Sequence, residues 1–255
     1  MNHLLACAIA AGISISGCSP STKEHSEIIP PSNTSQLVLA DTDFRAKGII
    51  AGSLPEVIDA LNSGEISSQA LVTLYLERIE TVDKNGPRLQ SILALNPDAL
   101  AIAQKRDQQR AAGEIMGPLH GVPVLLKDNI ETKDRIATTA GALALKDNMT
   151  GRDSPLVAGL RAQGAIIRGK TNLSQWDNFR SEGSMSGWSA LGGKVRNPHM
   201  LDRNPCGSSS GSGAATAASL AAASVGTETN GSVICPSNAN GIVGFKPTVG
   251  IVPQQ

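Results

Sequence analysis

Polar and apolar residues in the first half of the chain recur at the spacing of amphipathic helices. Ser53 and Glu56 have the spacing of a capping box, which predicts that a short helix starts there and ends near Leu61. In two longer segments the apolar residues return every three to four positions, and a glycine follows the second segment. The pattern therefore predicts three helices in this part of the chain, over residues 53–61, 68–84 and 98–112.

Two short apolar runs have the pattern of buried strands. They are GVPVLLKDN, residues 121–129, and GAIIRGKTN, residues 164–172, and residues 154–164 between them predict a further helix. Helices that alternate with buried strands indicate an α/β architecture, in which functional groups gather where strands end in loops.

The first 45 residues differ from the rest of the chain. The run LLACAIAAGISIS has the length of a signal peptide and is too short to span a bilayer. Its end, ISGC, resembles the lipobox of bacterial lipoproteins, which would make Cys18 the lipidated mature N-terminus; the alternative is an ordinary cleaved signal in which Cys18 is incidental. We predict a signal peptide over 1–18, a flexible tether over 19–45 and a folded domain over 46–255. The protein would then be exported and tethered to a membrane, on the periplasmic side of the outer membrane if the source is Gram-negative.

Charge and composition argue against a nucleic-acid partner. Lysine plus arginine and aspartate plus glutamate both number 22, so the formal net charge is zero, and no basic run would suit a phosphate backbone. Aromatic residues make up 2% of the chain, so stacking platforms for bases are scarce. The four cysteines, at positions 7, 18, 206 and 235, lack the spacing of a metal site, and whether Cys206 and Cys235 pair stays open at this stage.

Glycine and serine are concentrated in CGSSSGSG, residues 206–213. The next ten residues, AATAASLAAA, are strong helix formers, so we predict a helix over 214–223 with the serines at its N-terminus. Backbone N–H groups and the positive end of the helix dipole converge there. A phosphate-binding P-loop would need a lysine after the glycines, and a flexible linker would not be followed by an apolar helix. Anion stabilisation beside hydroxyl nucleophiles fits the pattern better.

Lys127 follows the apolar residues of the first predicted strand. Desolvation at that position would lower the pKa of its ammonium group and let it act as a base. The alternative is a strand-end lysine that reaches solvent or pairs with Asp128.

Several ordered motifs together resemble the amidase signature family. They are GVPVLLKDN, GKTNLSQWDNFRS, GWSALGGKVRNP, CGSSSGSGAATAASLAAASVGTETNGSVICP and GIVGFKPTVG, and CGSSSGSG, RNPHMLDRNPCG and NGSVICP look most like bacterial peptide amidases. The resemblance implies a mixed β-sheet flanked by helices. Members of the family continue beyond GFKPTVGIVPQQ, so the resemblance also implies that this chain is the N-terminal portion of the domain and that its fold is incomplete at the C-terminus.

The resemblance also implies the roles of individual residues. Ser232 would be the nucleophile, Ser208 the bridging serine held in a cis peptide, and Lys127 the base; a serine and a lysine can do this chemistry without histidine. The backbone amides of the turn that ends at Ser232 would form the oxyanion hole, and this turn comprises Thr229, Asn230, Gly231 and Ser232.

Three functions follow as hypotheses. The first is hydrolysis of a small amide or of the C-terminal amide of a peptide, with release of ammonia and no cofactor or metal. The second is a truncated, catalytically silent amidase-like fragment, and the third is a glutaminase-type amidotransferase subunit, which an exported protein would not suit. The sequence departs from the family at Cys206 and Asn230, where glycine is common, and at Ile234, where many members have arginine.

Overall fold

A four-stranded mixed sheet lies at the centre of the fold in this computed structural model, which describes residues 48–179 and 181–253. In chain order the described strands are β1 (Ile92–Leu95), β2 (Pro123–Lys127), β3 (Ile166–Thr171), β4 (Trp188–Ser189), β5 (Gly193–Lys194) and β6 (Ser224–Val225). The sheet has the order β1-β3-β2-β6, in which β2 is parallel to both of its neighbours and β1 is antiparallel to β3. Strands β4 and β5 pair separately with each other. The predicted α/β class and mixed sheet are confirmed.

Helices flank this sheet, and the first four of those described lie at nearly the positions that the sequence predicts. The described α-helices are α1 (Leu54–Ser63), α2 (Ser68–Arg78), α3 (Ala99–Ala111), α4 (Pro155–Ala162), α5 (Ser210–Ala217) and α6 (Ile234–Ala239). The predicted helix over 68–84 is α2 together with a π-helical extension, Ile79–Lys84. A short 3-10 segment lies at Leu143–Leu145, and Gln175–Asn178 forms a turn whose backbone is left-handed at Trp176 and Asp177.

Local signals account for the ends of the first helices. The Glu56 carboxylate accepts hydrogen bonds from the backbone N–H and the hydroxyl of Ser53, both at 2.7 Å, so the predicted capping box starts α1. Gly64 ends that helix with a φ of 77°, and Gly113 follows α3 with a φ of 76°. Glycine adopts this left-handed conformation without a steric cost, so it stops a helix cleanly.

The main core lies between α1, α2, α4 and one face of the sheet. Every residue of β2 and of β3 is buried, as expected for parallel strands with both faces covered. The buried apolar side chains of this cluster include Val57, Leu61, Leu71, Tyr75, Val124, Leu126, Val157 and Ile167.

The predicted helix over 214–223 is wrong in its bounds. The helix α5 begins four residues earlier, at Ser210, and ends at Ala217, and Ser219 then turns the chain with a φ of 57°. The turn is needed because residues 224 and 225 must run parallel to β2 at the edge of the sheet. Sheet packing thus overrides the helix propensity of the alanines after 217.

The predicted signal peptide over 1–18, with Cys18, lies outside the described residues, as do the whole predicted tether over 19–45 and the first two residues of the predicted domain. In the described part of the chain, no helix is long and apolar enough to cross a membrane.

Candidate active site

Lys127 ends β2 with a side chain that is 0% exposed. Its ammonium group lies 2.6 Å from Ser208 Oγ and 2.8 Å from Thr227 Oγ1, and it forms an ion pair with Asp177 at 2.5 Å. Burial lowers the pKa of Lys127, and the negative charges of Asp177 and Glu228 oppose part of this effect. The lysine therefore has the surroundings of a buried base.

The alternative in which Lys127 reaches solvent or pairs with Asp128 is wrong. The Asp128 carboxylate lies 3.9 Å from the ammonium group of Lys170 and accepts a hydrogen bond from the Thr139 hydroxyl. Burial raises the pKa of Asp128 and lowers that of Lys170 to about 8. Asp128 therefore pairs with Lys170, and the ammonium group of Lys127 contacts Ser208, Thr227 and Asp177 instead.

Ser208 lies between Lys127 and Asp177. The peptide bond between Gly207 and Ser208 is cis, as the resemblance implies. Ser208 Oγ accepts a hydrogen bond from the Lys127 ammonium group and donates one to Asp177 Oδ1 at 2.8 Å. The Ser208 carbonyl accepts from the Ser174 N–H at 3.0 Å, which ties the loop to the segment after β3.

Ser232 lies beside the same loop. Its carbonyl accepts a hydrogen bond from the Ser209 N–H at 3.1 Å, and the Ser209 hydroxyl donates to the Thr227 carbonyl at 3.1 Å. The side chain of Ser232 is half-buried, and none of the described residues forms a hydrogen bond with its hydroxyl. The three residues predicted from the sequence are thus brought together, Lys127 and Ser208 directly and Ser232 through Ser209.

The turn before Ser232 carries the predicted oxyanion amides. Thr229 and Asn230 are exposed, and Gly231 has a left-handed φ of 76°. The Glu228 carboxylate accepts from the N–H groups of the first α6 turn, Val233 at 2.7 Å and Ile234 at 3.0 Å. Burial raises the pKa of Glu228, but the N–H groups of Ile234, Val233 and Gly231 outweigh this and hold it below its usual value. Glu228 therefore holds this turn in place through its hydrogen bonds with backbone N–H groups.

A disulfide joins the two serine-bearing segments. Cys206 and Cys235 are bonded with their Cα atoms 5.9 Å apart, which answers the question that the sequence left open. Cys206 lies two residues before Ser208, and Cys235 lies three residues after Ser232. The bond therefore links the loop of one serine to the helix that follows the other.

The three departures from the family pattern have different structural consequences. Cys206 has a left-handed φ of 58°, so its position is one that glycine occupies most easily. Asn230 is not among the described residues with positive φ, and the left-handed residue of the turn is Gly231. Ile234 is exposed at the start of α6.

Sequence reasoning missed three residues around the lysine, namely Asp177, Asn129 and Thr227. The Asn129 amide donates to Asp177 Oδ2 and to Thr227 Oγ1, both at 2.9 Å. Asn129 and Asp177 lie inside motifs that carried the resemblance, but their spacing of 48 residues gives no local signal that they meet.

A family model described as Amidase matches residues 70–255, nearly three quarters of the chain. This chain belongs to the amidase family. Among similar amidases, the "Probable amidase At4g34880" of Arabidopsis thaliana is 43% identical over 226 residues, which cover 88% of this chain and 43% of that protein. The native peptide amidase of Stenotrophomonas maltophilia superposes with a TM-score of 0.77 at 50% identity, covering 79% of this chain and 41% of its own.

A third similar protein is a subunit of an amidotransferase. One subunit of the glutamyl-tRNA(Gln) amidotransferase of Halorhodospira halophila is 42% identical over 201 residues, which cover 78% of this chain and 40% of that protein. The chain thus spans about two fifths of the length of these relatives.

Proposed function

We propose that this protein hydrolyses carboxamides, with Ser232 as the nucleophile and with Ser208 and Lys127 as the path for its proton. The observation that carries the proposal is the fully buried Lys127 ammonium group, 2.6 Å from Ser208 Oγ. A serine hydroxyl attacks amides only when a neighbouring group takes its proton, and a desolvated lysine can be that group. Ser232 lies close enough for its backbone to bond Ser209, the next residue after Ser208.

The reaction proceeds through an acyl-enzyme. Neutral Lys127 takes the proton of Ser208 as Ser208 takes that of Ser232, and Ser232 Oγ forms a bond to the amide carbon. The tetrahedral intermediate collapses, the C–N bond breaks, and the proton returns to the nitrogen, which leaves as ammonia. Water then adds to the ester with the same relay as base, and the carboxylic acid leaves.

Backbone N–H groups of the turn before Ser232 would stabilise the oxyanion. The candidates are those of Thr229, Asn230, Gly231 and Ser232, and the contact of Gly231 with the Glu228 carboxylate makes the other three the stronger candidates. Removal of one donor of this kind costs about 3 kcal/mol of transition-state stabilisation.

For the substrate we propose the C-terminal amide of a peptide. The support is the 50% identity to the Stenotrophomonas maltophilia peptide amidase. Free or bound glutamine is the second candidate, since the Halorhodospira halophila amidotransferase protein is 42% identical. Ammonia release from a peptide amide, compared with release from glutamine at the same concentration, distinguishes the two.

For the location we propose export and tethering through Cys18. The described disulfide between Cys206 and Cys235 supports an oxidising compartment, where such bonds form and persist.

The test of the mechanism uses a fluorophosphonate probe on the full chain. We expect mass spectrometry to find the probe on Ser232 and to find no labelling in Ser232→Ala. Lys127→Ala should slow labelling by orders of magnitude, because the proton path is lost. Lys105→Ala, on the exposed side of α3, is the matched control and should label at the wild-type rate. Labelling at Ser208, or full activity in Lys127→Ala, would contradict the assignment.

A further inference from the structure

Asp177 is an acidic residue in direct contact with both members of the proposed proton relay. Its Oδ1 atom lies 2.5 Å from the Lys127 ammonium group and accepts the Ser208 hydroxyl at 2.8 Å. The Lys127 side chain is 0% exposed, whereas that of Asp177 is 42% exposed. A carboxylate that reaches a buried ammonium group from the solvent side neutralises it in place.

The backbone around Asp177 is unusual. Trp176, Asp177 and Asn178 are consecutive non-glycine residues with left-handed φ values of 53°, 55° and 67°. The other carboxylate oxygen, Oδ2, accepts a hydrogen bond from the Asn129 amide at 2.9 Å. Backbone in this conformation is maintained only where surrounding contacts hold it, and here those contacts fix the carboxylate against the relay.

In the resting site the hydrogen bonds point opposite to the proton transfer that the relay requires. The lysine donates to Ser208, and the Ser208 hydroxyl points its proton at Asp177. Attack by Ser232 requires instead that Lys127 be neutral and accept the Ser208 proton. With Lys127 and Asp177 both charged, Lys127 must therefore lose a proton before Ser232 can attack.

We propose that Asp177 is a positioning residue that keeps Lys127 protonated in the resting site and so sets the pH above which the relay operates. This role rests on the proposed function, because it acts through the same lysine. The two nearby acidic residues Glu228 and Asp128 do not take the place of Asp177. Glu228 acts on Lys127 only through its charge and uses its carboxylate to bind the α6 amides, while Asp128 faces Lys170.

Asp177→Asn is the matched substitution, because asparagine keeps the size of the side chain and tolerates left-handed backbone as aspartate does. The first measurement is the pH titration of the Lys127 ε-carbon resonance in the full chain labelled with carbon-13 lysine, assigned by its loss in Lys127→Met. We expect the midpoint to fall by about 1 to 3 pH units in Asp177→Asn, the range for loss of an opposite charge at this distance. Asp147→Asn, whose side chain is 86% exposed, is the control and should leave the midpoint unchanged.

The second measurement is the rate of Ser232 labelling by the fluorophosphonate probe as a function of pH. We expect the acid limb of the profile to move to lower pH in Asp177→Asn by the same interval, so that the variant labels faster than wild type in that range. An unchanged lysine midpoint would overturn the proposal, and so would a uniform loss of labelling at all pH values without a shift. If the wild type is not labelled at Ser232, the proposed function fails, yet the lysine titration still decides the role of Asp177.

Discussion

The disulfide between Cys206 and Cys235 should contribute a large part of the stability of this protein. It closes a loop with a sequence separation of 29 residues, and that loop contains Ser208, α5, β6 and Ser232. We consider the double substitution Cys206→Ser and Cys235→Ser, which removes the bond and keeps two small polar side chains.

The size of the effect follows from the length of the loop. Loop-closure entropy for a separation of 29 residues corresponds to about 3.6 kcal/mol at room temperature, so the free energy of unfolding should fall by roughly that amount. The left-handed φ of 58° at Cys206 costs a non-glycine residue about 1–2 kcal/mol, and the serine pair keeps this cost. Glycine at 206 would relieve that cost but would gain freedom in the unfolded chain. The pair Cys206→Gly with Cys235→Ser should therefore be more stable than the serine pair by about 0.5–1 kcal/mol.

Equilibrium unfolding in urea, followed by circular dichroism of the full chain, measures both quantities. Wild type should lose stability when a reductant is added, and both double variants should be insensitive to reductant, which serves as the internal control. An unfolding free energy of the serine pair equal to that of oxidised wild type would refute the entropy argument. Equal stability of the serine and glycine pairs would refute the cost assigned to Cys206.

Three further predictions concern packing, helix propensity and location. Gly211→Ala should lower the free energy of unfolding by about 1–3 kcal/mol, because its Cβ would lie 2.4 Å from two backbone carbonyl oxygens. Gly159→Ala, in α4 with nothing within 4 Å of the added carbon, should raise the free energy of unfolding by about 0.5–1 kcal/mol. A lower unfolding free energy for Gly159→Ala in the same urea experiment would contradict this expectation. If Cys18 is lipidated, the protein should partition into detergent and Cys18→Ser should move it to the aqueous phase. Wild type in the aqueous phase would exclude tethering.

Elements with strong local signals could be predicted from the sequence. The capping box at Ser53, the glycine after α3 and the two buried apolar runs all depend on neighbours in the chain, and each structural element lies within a few residues of its prediction. The end of α5 could not be predicted, because residues after Ala217 follow the edge of the sheet against their own propensity.

The site was predictable only in part. The place of Lys127 at the end of an apolar strand left a solvent-reaching side chain as an alternative to burial, and only the structure decides between them. Its contact with Ser208 spans 81 residues and was implied only by the family resemblance. Asp177 lies in a motif that carried the resemblance, but its contact with Lys127 had no local signal, because a run of three left-handed residues without glycine contradicts local preference. Such a conformation is held by tertiary contacts that a single sequence does not reveal.

The glycines and serines that lead into α5 and form its first turn determine the position of the backbone as well as the chemistry of the site. A Cβ at Gly207 would lie 2.3 Å from Ser174 Oγ, so the backbone before Ser208 can take its place only if residue 207 has no side chain. The hydroxyls of the buried serines meet polar groups at the end of the sheet: Ser212 Oγ lies 2.7 Å from Thr171 Oγ1 and donates to the Val225 carbonyl at 3.1 Å. Buried carbonyls need such donors, which alanine would not supply. Substitutions in this segment should therefore disturb the relay by moving Ser208, even where the replaced residue takes no part in proton transfer.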